Sequence, residues 1–140
     1  MTGLLYTDGA CTNNNQRDLT KRQMTASVVS ATGEVLTFRT EQGGSNNIAE
    51  LLAVRDALQW AVENGYCTVQ IRTDSQNNLR WVEGNIGFDV NDRERALSIY
   101  EEITALRLRV RMQLLWVPRR ENVAGLFLEK SAQLRSRGTK

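Results

Sequence analysis

The feature that most constrains this chain is a change of apolar period at residue 46. Residues 46 to 63 place Ile48, Leu51, Leu52, Leu58 and Val62 at helical spacing, with Ser45 as the expected N-cap and Gly65 just past the end. Before this helix, residues 22 to 30 and 34 to 42 read as two strands around the turn signal Thr32-Gly33, with Val28, Val29, Val35, Leu36 and Phe38 supplying β-branched and aromatic content. After it, residues 67 to 73 (CTVQIRT) alternate as a strand. A short strand, residues 3 to 8, opens the chain, and the polar stretch 9 to 21 reads as a loop. Further on come helices at 75 to 83 and 92 to 106. A strand at 108 to 117 is stopped by the single proline, Pro118, and a last helix spans 122 to 134. The order β-β-β-α-β-α-α-β-α predicts an α/β fold with a mixed sheet. An antiparallel meander leads through one crossover helix into parallel strands, and helices pack on the sheet.

Composition limits the chemistry. The chain has 140 residues, the length of a single domain, taken here as residues 1–140, and enough to bury a core unaided. It contains no histidine, which removes Ser-His-Asp and Cys-His mechanisms and histidine-ligated zinc. Its two cysteines, Cys11 and Cys67, are expected to be free thiols. No apolar run nears the roughly 20 residues of a membrane span, and the start MTGLLYTDGA lacks the pattern of a signal peptide. A cytoplasmic protein that makes no membrane contact is therefore the expectation. Net charge is +2, but Arg107, Arg109, Arg111, Arg119, Arg120 and Lys130 crowd the C-terminal third. Such clustering suits a polyanion and equally a solvated surface.

Two predicted strands end on aspartate, Asp8 and Asp74, and Glu50 sits one turn into the main helix. The carboxyl ends of neighbouring strands are where α/β sheets place their sites. Three acids converging there would repel one another unless a hard cation lay between them. Two such ions, about 3.5–4 Å apart, could clamp a phosphodiester and activate water. Each acid taken alone reads equally as a cap or a surface charge.

The words around the acids narrow the choice. YTDGA, NNIAELLAV and IRTDSQ occur in this order, each on the expected element, and WVPRREN precedes the final helix. On these strings the chain resembles the ribonuclease H type 1 family. The resemblance implies a ribonuclease H-like fold, a five-stranded mixed sheet flanked by helices. It implies an endonuclease that cuts the RNA strand of RNA/DNA hybrids with two Mg²⁺ or Mn²⁺ ions, leaving 5′-phosphate and 3′-hydroxyl ends. By position Asp8, Glu50 and Asp74 would be catalytic metal ligands. Ser45, Asn46, Asn47 and Gln76 would contact the hybrid in the minor groove, where 2′-hydroxyls distinguish RNA from DNA. Asn13 and Asn14, soon after Asp8, are further candidates for touching it. The implied partner is the hybrid, with no small-molecule cofactor and a monomeric state.

The match breaks in three places. The family carries a fourth acid at the start of its last helix, where alignment on Ala124 puts Gly125, and glycine cannot ligate. Asn122 is the nearest polar candidate, as a neutral catalytic metal ligand through its amide oxygen and as a helix N-cap, two roles that do not exclude each other. Glu121 and Glu129 are fallbacks. The family histidine before that helix is absent, leaving Arg119 and Glu121 as candidates for its role and Arg119 for substrate contact. The stretch WVEGNIGFDVNDRERA is short and not basic where many members have a Trp-rich basic handle, so Trp81 is expected in the core. A missing carboxylate predicts weaker Mg²⁺ binding and a preference for Mn²⁺. A ribonuclease of the same fold acting on double-stranded RNA or junctions, and a catalytically weak nucleic-acid-binding module, are the alternatives.

Overall fold

The computed structural model describes residues 2–13, 18–88, 90 and 92–127. Five strands form one sheet: β1 (Thr2–Thr12), β2 (Gln23–Ser30), β3 (Val35–Gln42), β4 (Thr68–Thr73) and β5 (Arg111–Trp116). Their order across it is β3-β2-β1-β4-β5. The β1/β2 and β2/β3 pairs are antiparallel, and β1/β4 and β4/β5 are parallel. Helices α1 (Asn46–Glu63), α2 (Gln76–Trp81) and α3 (Arg93–Leu106) follow. A further helix, α4, occupies residues 123–127, and the rest of the expected 122–134 helix lies outside the described residues. Among the described residues no helix is long and apolar enough to cross a membrane.

Helix α1 forms where periodicity predicts. Ser45 in extended conformation accepts a hydrogen bond from Ile48 N–H at its start, and Gly65 at φ +77° turns the chain after its end. The alanines at 49, 53, 57 and 61 are all fully buried. Spaced four apart, they make one smooth stripe that lets the helix lie close to the sheet. The approach is tightest at Gly9 on β1, where an added Cβ would stand 2.2 Å from the Ala49 carbonyl carbon and 2.4 Å from the Glu50 nitrogen. Only glycine admits a helix backbone that near. Leu5, Val28, Ile48, Leu51, Leu58, Ile71, Ile99 and Ile103 fill the main core between the sheet and α1 and α3. A smaller cluster of Tyr6, Val29 and Ala124, joined by Val123 and Phe127, seats α4 against the opposite face.

Two boundaries differ from expectation, each for a packing reason. Strand β1 does not stop at Asp8 but runs on to Thr12, because residues 9–12 pair with β2 through Cys11↔Met24 and Thr12↔Gln23. It parts from β4 much earlier, the last parallel pair being Tyr6↔Arg72. Asp8 is thus at a strand end only as seen from β4. Strand β5 begins at Arg111, not 108: residues 107–109 form a turn that leaves Leu108 exposed before Val110 is buried. Arg107, Arg109 and Arg111 therefore do not share a strand face. Both cysteines are free and Trp81 is buried, as expected.

Candidate active site

The parallel pair β1/β4 splits after Tyr6 and Arg72, and the site lies in that fork. Asp8 continues on β1. Asp74 follows the last residue of β4. Ser75 accepts from Asn78 N–H to cap α2, and Trp116 on β5 donates its indole N–H to the Asp74 carbonyl oxygen at 3.2 Å, fixing the backbone there. Glu50 comes from the first turns of α1, brought in by the close approach at Gly9. Asn78, fully buried on α2, donates to the Glu50 carbonyl oxygen at 3.2 Å and to Thr73 Oγ1 at 3.1 Å. It ties the helix carrying one acid to the strand carrying another.

These contacts bring carboxylate oxygens of Asp8, Glu50 and Asp74 within 4.8 Å of one another. Asp8 is 0% exposed, and the Asp74 side chain is 10% exposed. Burial is the main reason both Asp8 and Glu50 sit above their ordinary carboxylate range, and Glu50 is raised the further. The Asp8 and Asp74 charges push Glu50 up, while Gly9 N–H, donating to it, pulls down. Asp74 also raises Asp8, whereas a hydrogen bond shared with Glu50 and the charge of Arg119 lower it. Asp8 Oδ1 and Glu50 Oε2 are buried without a hydrogen-bond donor. Three acids with two orphaned oxygens make a donor set of hard oxygens, the kind that fits Mg²⁺ or Mn²⁺.

Arg119, in the 3-10 turn Arg119–Glu121, enters from the open side. Its Nη1 donates to Asp8 Oδ2 at 2.7 Å and to Asp74 Oδ2 at 2.9 Å, while 48% of the side chain stays exposed. Burial lowers its pKa, but the Asp74 and Asp8 contacts outweigh that and hold it raised. It was expected as a substrate contact, and the structure places it among the acids themselves.

Asn122 resolves in favour of capping. It is fully buried, its Oδ1 accepts from Ala124 N–H at 3.1 Å, and its Nδ2 donates to the Thr7 carbonyl oxygen at 2.9 Å. Both ends of the amide hydrogen-bond to backbone, so the capping role stands on observed contacts and the role as a fourth metal ligand on none. Asn122 braces the start of α4 against β1, next to Asp8. Glu121 is exposed, and Glu129 lies outside the described residues.

The expected substrate contacts divide. Asn46 accepts from Cys11 N–H at 2.7 Å, and Asn47 accepts from Asn77 Nδ2 at 2.9 Å. With exposed Gln76, these amides line the adjoining N-termini of α1 and α2 beside the acids. Ser45 is occupied as the cap of α1. Asn13 has φ 57° and donates to the Lys21 carbonyl oxygen, holding the loop between β1 and β2. Asn14 lies outside the described residues. Sequence reasoning missed Gly9 and Asn78. Gly9 lies within the word YTDGA and Asn78 two residues past IRTDSQ, so proximity to a recognised word was the available signal.

A five-stranded mixed sheet with acids from β1, α1 and the end of β4 meeting at the β1/β4 fork defines a ribonuclease H-like fold. The family described as RNase H matches residues 2–125, and the chain belongs to it. That membership makes it a ribonuclease H by class. The N-terminal RNase H domain of a Mycobacterium tuberculosis protein superposes with a TM-score of 0.64 at 22% identity, covering 89% of this chain and 92% of that one. RNase H1 of the halophilic archaeon Halobacterium salinarum does so with a TM-score of 0.61 at 25% identity over 87% and 89%. The LC11 RNase H1 from compost, solved in complex with an RNA/DNA hybrid, gives 0.57 at 20% over 85% and 87%. No curated protein sequence matches the chain.

Proposed function

We propose that the protein hydrolyses the RNA strand of RNA/DNA hybrids at the Asp8–Glu50–Asp74 site, with divalent ions held by those carboxylates. The convergence of the three acids within 4.8 Å, in a chain of the RNase H family, is the observation that carries this reading. Asp8, fully buried, would hold the ions together with Glu50 and Asp74. The ions, when bound, stabilise charge on the phosphoryl oxygens and lower the pKa of an attacking water. Attack at phosphorus with cleavage of the P–O3′ bond leaves a 5′-phosphate and a 3′-hydroxyl.

The chain's own residues would do the rest. Asn46, Asn47 and Gln76 present amides that both donate and accept, the chemistry suited to 2′-hydroxyls in a minor groove. Asn78 and Gly9 keep Glu50 in register with β1. The neutral Gly125 favours Mn²⁺ over Mg²⁺, because a site short of one carboxylate needs the tighter-binding ion. That same glycine is the specific support for a second reading, a hybrid-binding module with weak catalysis.

The test is cleavage of an end-labelled RNA/DNA hybrid beside matched double-stranded RNA and DNA, with Mg²⁺ or Mn²⁺. We expect metal-dependent cutting of the hybrid's RNA strand alone, lost in Asp8→Asn. Cutting of double-stranded RNA as well would extend the substrate class. Hybrid binding without cutting under either ion would select the binding module.

A further inference from the structure

Glycine at 125 does more than remove an acid. A Cβ built there would stand 2.6 Å from Arg119 Nη1, 2.8 Å from Cζ and 3.2 Å from Nε. Cβ atoms essentially never come within 3.0 Å of a neighbour, so a larger residue at 125 would oblige the flexible end of Arg119 to shift from this position. From that seat the same Nη1 reaches Asp8 and Asp74 together. The absence of a side chain at 125 and the arrival of a cation among the acids are thus one arrangement.

We propose that Arg119, seated on Gly125, is a built-in counter-cation of this site, which competes with divalent metal for Asp8 and Asp74 and must swing out before a full complement of ions can bind. The proposal rests on reading Asp8, Glu50 and Asp74 as a divalent-metal site. Its chemistry is ordinary. A guanidinium donates to carboxylate oxygens through lone pairs that a metal would also use. Nearly half the side chain is exposed, so an outward rotamer has room. A charge-assisted pair of ordinary strength leaves about a tenth of the molecules open, which weakens apparent metal affinity about tenfold. Outward, the same arginine would face incoming phosphates. Substrate could then draw it off the acids as metal enters.

The experiment is calorimetric titration of the folded protein with Mn²⁺ alone, for wild type, Arg119→Met, Gly125→Ala and Asp8→Asn. Arg119→Met removes the competing charge. Gly125→Ala alters no charge but pushes the guanidinium off its seat. We expect both to bind Mn²⁺ more tightly than wild type, by about tenfold and by a lesser factor respectively, and Asp8→Asn to lose binding. Equal affinity and stoichiometry in wild type, Arg119→Met and Gly125→Ala would overturn the proposal while leaving the metal site intact. A gain in Arg119→Met without one in Gly125→Ala would reduce Arg119 to a general electrostatic effect and overturn the seat. If no variant binds Mn²⁺, the metal-site reading fails, and the competition with it.

Discussion

Helix α1 carries two buried acids six residues apart, and they are treated oppositely. Asp56, 6% exposed, receives two bonds from Arg39, through Nε at 2.9 Å and Nη2 at 3.1 Å. Arg55 Nε stands 3.1 Å away as a second cation, though it is not aligned for a hydrogen bond. Two guanidinium groups serve one carboxylate, and the group ties α1 to β3. Glu50, buried to a similar degree, faces two more acids, and Arg119 bonds Asp8 and Asp74 instead. One of its oxygens has no donor. Burial alone therefore does not mark function, since both acids are buried. The mark is the charge balance around them. A fold that minimised its own energy would not leave Asp8 and Glu50 above their ordinary pKa range.

The sharpest way to break this contrast is to neutralise one acid in each group. Asp8→Asn should lower the rate of hybrid cleavage by about a thousandfold, the loss expected when metal-based charge stabilisation of several kcal/mol goes. It should not lower the melting temperature, because it removes a charge the metal-free fold disfavours. Asp56→Asn should do the reverse. It should cost about 1–3 kcal/mol, discounted because Arg39 is well exposed, and leave turnover per folded molecule unchanged. Denaturant titration beside a cleavage assay separates the two. A smaller effect is expected at the rim: Asn47→Ala should weaken hybrid binding severalfold, the value of one neutral hydrogen bond, while sparing Mn²⁺ affinity. Equal loss of both would move Asn47 from substrate contact to support of the acid cluster.

The two regions also differ in how far the sequence revealed them. The order of elements was legible because period-2 and period-3.6 segments alternate cleanly, and α1 falls where its pattern and Ser45 cap predict. The three acids were legible through the short words around them. The length of β1 was not, because Gly9, Ala10, Cys11 and Thr12 carry little strand signal. They are strand only because β2 pairs with them. Asn122 stayed undecided because asparagine suits a cap and a ligand alike, and the cap became visible only through its two backbone bonds. Gly125 read as a lost ligand. That Arg119 lies over it is a contact across a turn and the start of α4, which no local pattern encodes. The Arg39–Asp56 group likewise depends on how β3 and α1 pack.

The claim that unbalanced charge makes the site is tested most directly on Glu50. Its pKa is raised on folding, so the folded protein holds a proton that the unfolded chain releases near 4.5. The stability tied to that proton is whole below the unfolded value. It is lost as pH rises through the unfolded and then the folded pKa, so the metal-free protein carries the penalty at neutral pH. The measurement is thermal unfolding of wild type and Glu50→Gln at pH 5 and pH 7.5, with and without Mn²⁺. Without metal, the variant should melt higher than wild type at pH 7.5, with a smaller gap at pH 5. With Mn²⁺ at pH 7.5, wild type should gain stability that the variant lacks, and the order should reverse. A variant that melts below wild type under every condition, with no response of either to Mn²⁺, would contradict the account.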